Sequence, residues 1–312
     1  MDDTDFSLFG KKDKSKSKKD KADATQYAKS PSSELPPTDF NRVITSRPTT
    51  DDTYENCKRT GVALIFNHKE VKGQKTRMGT ERDRDAMQST LQNYGFSVRT
   101  YNELTFADLY EVLKQVAAED HSQNDCLVLV VMSHGTEGKV YAKDMAYPVE
   151  RLWIPFLGDK CKTLVNKPKL FFIQACRGAN LEKAVEFETF SVMTRAMPAA
   201  AQPPQPVTYA IPSTADMLVF YSTFETYFSF RNVEDGSWFI QSLCMVFNAA
   251  AKGEAAEPSG TELLRLLTAV NRKVAYEYQS NTKNEALNQM KEMPNFMSTL
   301  TKTFYLRVKR ES

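Results

Sequence analysis

Four short runs of almost uninterrupted apolar residues constrain this chain most. They are "GVALIFNH" (61–68), "CLVLVVMSHG" (126–135), "KLFFIQACRG" (169–178) and "MLVFYST" (217–223). A strand with one wet face alternates apolar and polar residues, whereas a run that is apolar throughout is covered on both faces. Amphipathic segments fill the gaps. Positions 81–94 place Met87 and Leu91 four apart, and "FADLYEVLKQVAAED" (106–120) reads as a second helix. Positions 149–157 read as a short helix, and 237–251 and 260–278 as two longer ones. "TKTFYLRV" (301–308) reads as a closing strand. The alternation predicts an α/β fold: a mostly parallel central sheet with helices on both faces, a three-layer sandwich.

Two stretches do not fit this pattern. Residues 1–55 contain the lysine block "KKDKSKSKKDKAD" (11–23) and the proline- and serine-rich "SPSSELPPTDF" (30–40). Neither can bury a core, so this part is expected to be a disordered basic arm. A lysine block can touch anionic surfaces, but a solvated tail is the simpler reading. Between the third and fourth apolar runs lies "AMPAAAQPPQP" (196–206), a proline-alanine linker. Long structureless loops inside compact domains are uncommon and usually functional or cleaved.

Composition excludes several classes. Lys+Arg 41 against Asp+Glu 39 gives no reason to expect a specific nucleic-acid partner. No stretch resembles a signal peptide or is long enough to span a bilayer. The five cysteines (Cys57, Cys126, Cys161, Cys176, Cys244) are scattered, with no C-x-x-C pair, and there are only three histidines. A disulfide framework and a zinc site are both poor readings, no cofactor is implied, and a reducing, cytoplasmic compartment is expected.

In open α/β sheets ligands bind beyond the carboxyl ends of the strands. His134 follows the second apolar run and Cys176 the third, so parallel strands would deliver both to one sheet edge. A thiol becomes a good nucleophile beside a base, which His134 can supply. The N–H groups of Gly135 and Cys176 could bind an oxyanion. Against this, a cysteine at a strand end is often a small buried hydrophobe.

The string Gln174-Ala175-Cys176-Arg177-Gly178 decides between these readings. With "SHG" (133–135), "RMGTERD" (77–83), "SFRN" (229–232) and "DGSWF" (235–239) it resembles the caspase family of cysteine peptidases, over residues 54–312. The resemblance implies a caspase-like sandwich that cuts proteins after aspartate through a Cys-His dyad during programmed cell death. It implies an arm (1–55) and a catalytic domain (56–312). That domain comprises a large-subunit part (56–178), a linker (179–212) and a small-subunit part (213–312). It assigns Arg77, Gln174 and Arg231 to the aspartate pocket and Phe228, Phe230, Asn232 and Trp238 to the rest of the substrate groove. It places the histidine's orienting partner at a backbone carbonyl near Lys75, leaving His68 and His121 structural or exposed. It implies a homodimer joined along the last strand, taken as 301–308, and activation by an upstream caspase or another protease. The short arm suits an executioner, since it cannot hold an adaptor module.

The chain departs from the family pattern in places. No aspartate lies between Lys160 and Ala215; the linker offers Glu182, Glu186 and Glu188 instead. Phe230 stands where the family usually has tryptophan, and "QSNTKNEALNQ" (279–289) is polar. A silent homologue that regulates other caspases by binding is the alternative, favoured by the linker and disfavoured by the intact dyad. A third reading, an interaction protein working through its basic arm, leaves Arg77, Gln174 and Arg231 unexplained.

Overall fold

The computed structural model describes residues 52–183, 211–252, 260–282 and 284–309. Nearly all of the expected arm, the proline-alanine linker, Glu186 and Glu188 lie outside them. A six-stranded sheet forms the centre: β1 (Arg59–Asn67), β2 (Phe96–Asn102), β3 (Asn124–Met132), β4 (Lys169–Gln174), β5 (Met217–Tyr221) and β6 (Asn295–Ser298), in the order β6-β5-β4-β3-β1-β2. All pairings are parallel except β5 with β6, which is antiparallel. The longer helices are α1 (Thr80–Asn93), α2 (Phe106–Ala117), α3 (Trp238–Lys252) and α4 (Leu263–Glu277).

The apolar runs are buried on both faces because each face carries its own helices. Ala63, Ile65, Val128, Val130, Phe172 and Phe220 pack against α1, α3 and α4. Their strand neighbours, among them Leu64, Phe66, Leu129 and Val131, pack against α2 and the chain around Leu152 and Phe156. Every residue of β3 is buried. Phe220 and Phe239 meet edge to face, centroids 4.8 Å apart. Each fully buried side chain of this kind contributes roughly 1.5–3 kcal/mol.

Three expectations need correction. The segment 149–157 is two 3-10 turns, Val149–Leu152 and Ile154–Phe156, because Pro155 sits in the first turn of the second and cannot continue a helix across Trp153. Two strands escaped the pattern: β2 reads "FSVRTYN" and lies at the sheet edge with most residues partly exposed, and β6 is only four residues long. The closing segment 301–308 is not part of the central sheet. Only Tyr305–Leu306 forms a strand, paired with Thr261–Glu262, while Phe304 and Leu306 are buried in the core beside α4. Thr301 is held instead by Tyr54 and Asp216. Among the described residues the free sheet edge on this side belongs to β6.

Register aligns the site. Met132 of β3 pairs with Gln174 of β4. His134 and Cys176 each lie two residues further on, so they leave neighbouring strands at the same level of the same edge.

Candidate active site

At that edge the chain turns sharply after Cys176. A side chain at Gly178 would place its Cβ 2.1 Å from the Thr226 carbonyl oxygen, so only glycine permits the turn to lie against the following loop. Arg177 N–H donates to the Tyr227 carbonyl at 3.0 Å, and Asn180 N–H to the Thr226 carbonyl at 2.9 Å. Gly135 has the same role from the other strand: a Cβ there would lie 2.4 Å from the Cys176 carbonyl oxygen. Its lack of a side chain therefore lets the histidine loop approach the cysteine loop.

His134 is half-buried, and its Nε2 lies 2.6 Å from the Lys75 carbonyl oxygen. A carbonyl can only accept, so Nε2 carries the proton and Nδ1 keeps its lone pair. Burial, with smaller contributions from Arg77 and Arg231, pulls the imidazole below its ordinary value against the opposing Lys75 bond. The base is thereby kept neutral. The Cys176 thiol is pushed up, chiefly by burial, and its Sγ lies 3.8 Å from the Ser229 carbonyl oxygen. Both groups thus rest neutral at the same sheet edge.

Arg77 is 2% exposed. It donates to the His68 carbonyl at 2.8 Å and to Thr80 Oγ1 at 2.9 Å. Burial first, then the charge of Arg231, pull its guanidinium down to about 9. Two cations close together in a dry pocket, with no carboxylate hydrogen-bonded to either among the described residues, favour an anionic guest. Arg231 is partly buried and donates from Nε to the Met78 carbonyl at 2.9 Å. Gln174 Nε2 donates to Ser229 Oγ at 2.6 Å, and its Oε1 is buried without a partner. A half-turn of the amide exchanges those roles and leaves the NH2 free to donate.

Around this pocket Phe230 stacks on Trp238 (centroids 4.7 Å apart) and Trp238 on Tyr278 (5.5 Å), making a platform of three rings. Phe228 is 37% exposed. Asn232 sits in a short hairpin opposite Gly236, its Oδ1 accepting from Glu234 N–H at 2.8 Å. His68 and His121 are both buried and bonded to main-chain carbonyls, of Leu104 and Val116.

Sequence reasoning missed four supports of this geometry. Asp83 is fully buried on α1 and accepts from Ser237 N–H at 2.9 Å and Gln241 Nε2 at 2.9 Å, pinning the start of α3. It lies inside the quoted "RMGTERD", where a charged helix residue facing apolar neighbours was the available signal. Ser229, Tyr278 and the buried Glu292 carried none.

A caspase domain family model matches residues 60–305. The chain belongs to the caspase family. It is 38% identical to caspase-7 of Gallus gallus over 253 residues, 80% of this chain and 78% of that relative. It is 39% identical to caspase-1 of Spodoptera frugiperda over 252 residues, 79% of this chain and 78% of the relative. Caspase drICE of Drosophila melanogaster is 36% identical over 248 residues, 78% of this chain and 69% of the relative. The crystal structure of the Spodoptera caspase-1 superposes with a TM-score of 0.73 at 36% identity, covering 86% of this chain and all of that one. This caspase is a cysteine endopeptidase that cuts after aspartate, of the executioner type acting in apoptosis. The reading as a silent regulatory homologue is not favoured. Among the described residues no helix is long and apolar enough to cross a membrane.

Proposed function

We propose that Cys176 is the nucleophile of this peptidase and His134 its proton partner, in a pocket where Arg77, Gln174 and Arg231 hold the substrate's aspartate. The observation that carries this is the bond between His134 Nε2 and the Lys75 carbonyl, because it leaves Nδ1 as the only basic nitrogen. Cys176 Sγ attacks the scissile carbonyl carbon and its proton passes to Nδ1. The N–H groups of Gly135 and Cys176 take the oxyanion. Collapse of the tetrahedral adduct breaks the C–N bond, and the leaving amine takes the proton from His134. A water then gives a proton to His134 and attacks the thioester, releasing the acid and restoring the thiol.

The aspartate carboxylate meets two guanidiniums, and charge-assisted bonds of this kind are roughly twice as strong as neutral ones. Phe228, Phe230, Asn232 and Trp238 line the groove for the residues before the aspartate, with Tyr278 extending the aromatic floor. Active molecules are homodimers paired along β6, and the enzyme works in the cytoplasm, where its five free cysteines stay reduced. Activation proceeds through a cut in the linker after Glu188 or Glu186. A basic pocket accepts a glutamate with a misfit of one methylene, worth about 1–3 kcal/mol, so an activator tolerant of glutamate is required.

Turnover of a peptide library by purified protein beside Cys176→Ala tests the assignment. Cleavage after aspartate by the wild type and at least a hundredfold loss in the variant are expected. Residual activity within tenfold would exclude Cys176 as nucleophile. Intact-mass analysis of the processed protein tests the linker cut; new termini next to Arg195, or an uncut active chain, would refute the glutamate scheme.

A further inference from the structure

One buried carboxyl beside this site has no part in the chemistry above. Glu292 is 1% exposed and lies between the short strand Met290–Lys291 and β6. Its Oε2 accepts the Phe230 backbone N–H, and the Ser229 side chain lies near enough to pull the same carboxyl down. Ser229 Oγ also accepts from Gln174 Nε2, and the Ser229 carbonyl faces Cys176 Sγ. One carboxyl thus holds Phe230, the residue before Arg231, and Ser229 beside it contacts Gln174 and Cys176.

Glu292 also faces the start of the linker. Lys291, its chain neighbour, pairs antiparallel with Glu182. Glu292 Oε1 and Glu182 Oε2 are both buried without a hydrogen-bond partner. A buried polar atom without a partner is costly, and a residue serving only to fill space at this position would be apolar. The cost has a function if the carboxyl fixes the pocket wall.

We infer that Glu292 is a positioning residue for the aspartate pocket: it clamps Phe230 between Ser229 and Arg231, so that Arg231 and, through Ser229, Gln174 hold their places. The inference rests on the pocket assignment above. Burial pushes the Glu292 carboxyl well up, and Glu182 and Asp83 reinforce this, while the bonds from Phe230 and Ser229 oppose it. Lys291 supplies no counter-charge, because its ammonium is turned to the Tyr278 carbonyl. An amide of the same size keeps an oxygen acceptor for the Phe230 N–H.

The test is steady-state cleavage of a fluorogenic aspartyl peptide amide by wild type, Glu292→Ala and Glu292→Gln. Glu292→Ala is expected to lose at least tenfold in kcat/KM, with most of the loss in KM because the dyad itself is untouched. Glu292→Gln is expected to regain most of that loss, since its amide oxygen still accepts from Phe230. The inference is overturned if Glu292→Ala stays within twofold of wild type, if the loss falls on kcat alone, or if Glu292→Gln is no better than alanine. Should Glu292→Ala fail to fold, Glu292→Met takes its place; it fills the same space without an acceptor for the Phe230 N–H. A KM raised at least threefold supports the inference and an unchanged KM overturns it. A wild type that does not cut after aspartate would sink the pocket assignment itself, and this inference with it. A cutting wild type matched by Glu292→Ala would sink this inference alone.

Discussion

The imidazole of His134 is bound through Nε2 to the main-chain carbonyl of Lys75, 2.6 Å away and 59 residues earlier in the chain. No side chain is needed as a third member of the dyad, and no substitution at Lys75 can remove the bond directly. The loop after β1 therefore fixes the tautomer of a base carried on the loop after β3.

A pH profile follows from that base. Its ionisation is pulled below the ordinary range of an imidazole, with burial as the main cause. Protonation would disable the base, so the lowered value keeps the enzyme active further into acid. The acid limb of kcat/KM for an aspartyl peptide should fall below pH 6.5. A half-maximal point above pH 7 would contradict the burial argument.

Arg77 and Arg231 differ in depth, and their loss should differ accordingly. Arg77→Ala removes a buried guanidinium that also holds the His68 carbonyl and Thr80. Both substitutions should cost at least about 2–3 kcal/mol in kcat/KM for aspartate substrates. Only Arg77→Ala should also lower the melting temperature clearly. Near-normal kcat/KM in either variant would remove that arginine from the pocket.

Asp83 carries the join between α1 and α3. Asp83→Ala leaves the Ser237 N–H and the Gln241 amide without their acceptor in a buried place, at a cost of about 2–3 kcal/mol. Urea unfolding should show that loss, and Asp83→Asn should restore part of it by keeping one oxygen acceptor. Equal stability of Asp83→Ala and wild type would contradict the role.

The proposed assembly along β6 makes Met297 the residue to change. It is 59% exposed on an edge strand whose other side is already paired to β5. An unpaired edge invites a second copy of itself, and two-fold antiparallel pairing closes it. Met297→Asp should shift sedimentation toward the monomer and lower activity in parallel. A fully active wild-type monomer would refute the dimer.

Much of the fold was legible because burial on both faces leaves a direct trace in the residues. β1, β3, β4 and β5 declare themselves as unbroken apolar runs, and α1 to α4 as amphipathic repeats between them. The order of those elements already delivers His134 and Cys176 to one edge, and the short strings around Arg77, Gln174 and Arg231 point to one family. β2 and β6 left no such trace, because edge strands keep one side in solvent or are too short to show a pattern. The segment 301–308 misled for the opposite reason: Phe304 and Leu306 are apolar because they pack in the core beside α4, which alternation alone cannot tell from a sheet position. Asp83, Ser229 and Glu292 are ordinary polar residues in the sequence. Their work depends on partners far away in the chain, as with Ser237 for Asp83 and Phe230 for Glu292, and only tertiary folding brings those together. The sequence by itself determined the four central strands, the helices between them and the arrival of His134 and Cys176 at one edge. The tertiary structure decided which strand ends the sheet and what the buried carboxyls of Asp83 and Glu292 accept from, because both depend on what packs against a residue rather than on what the residue is.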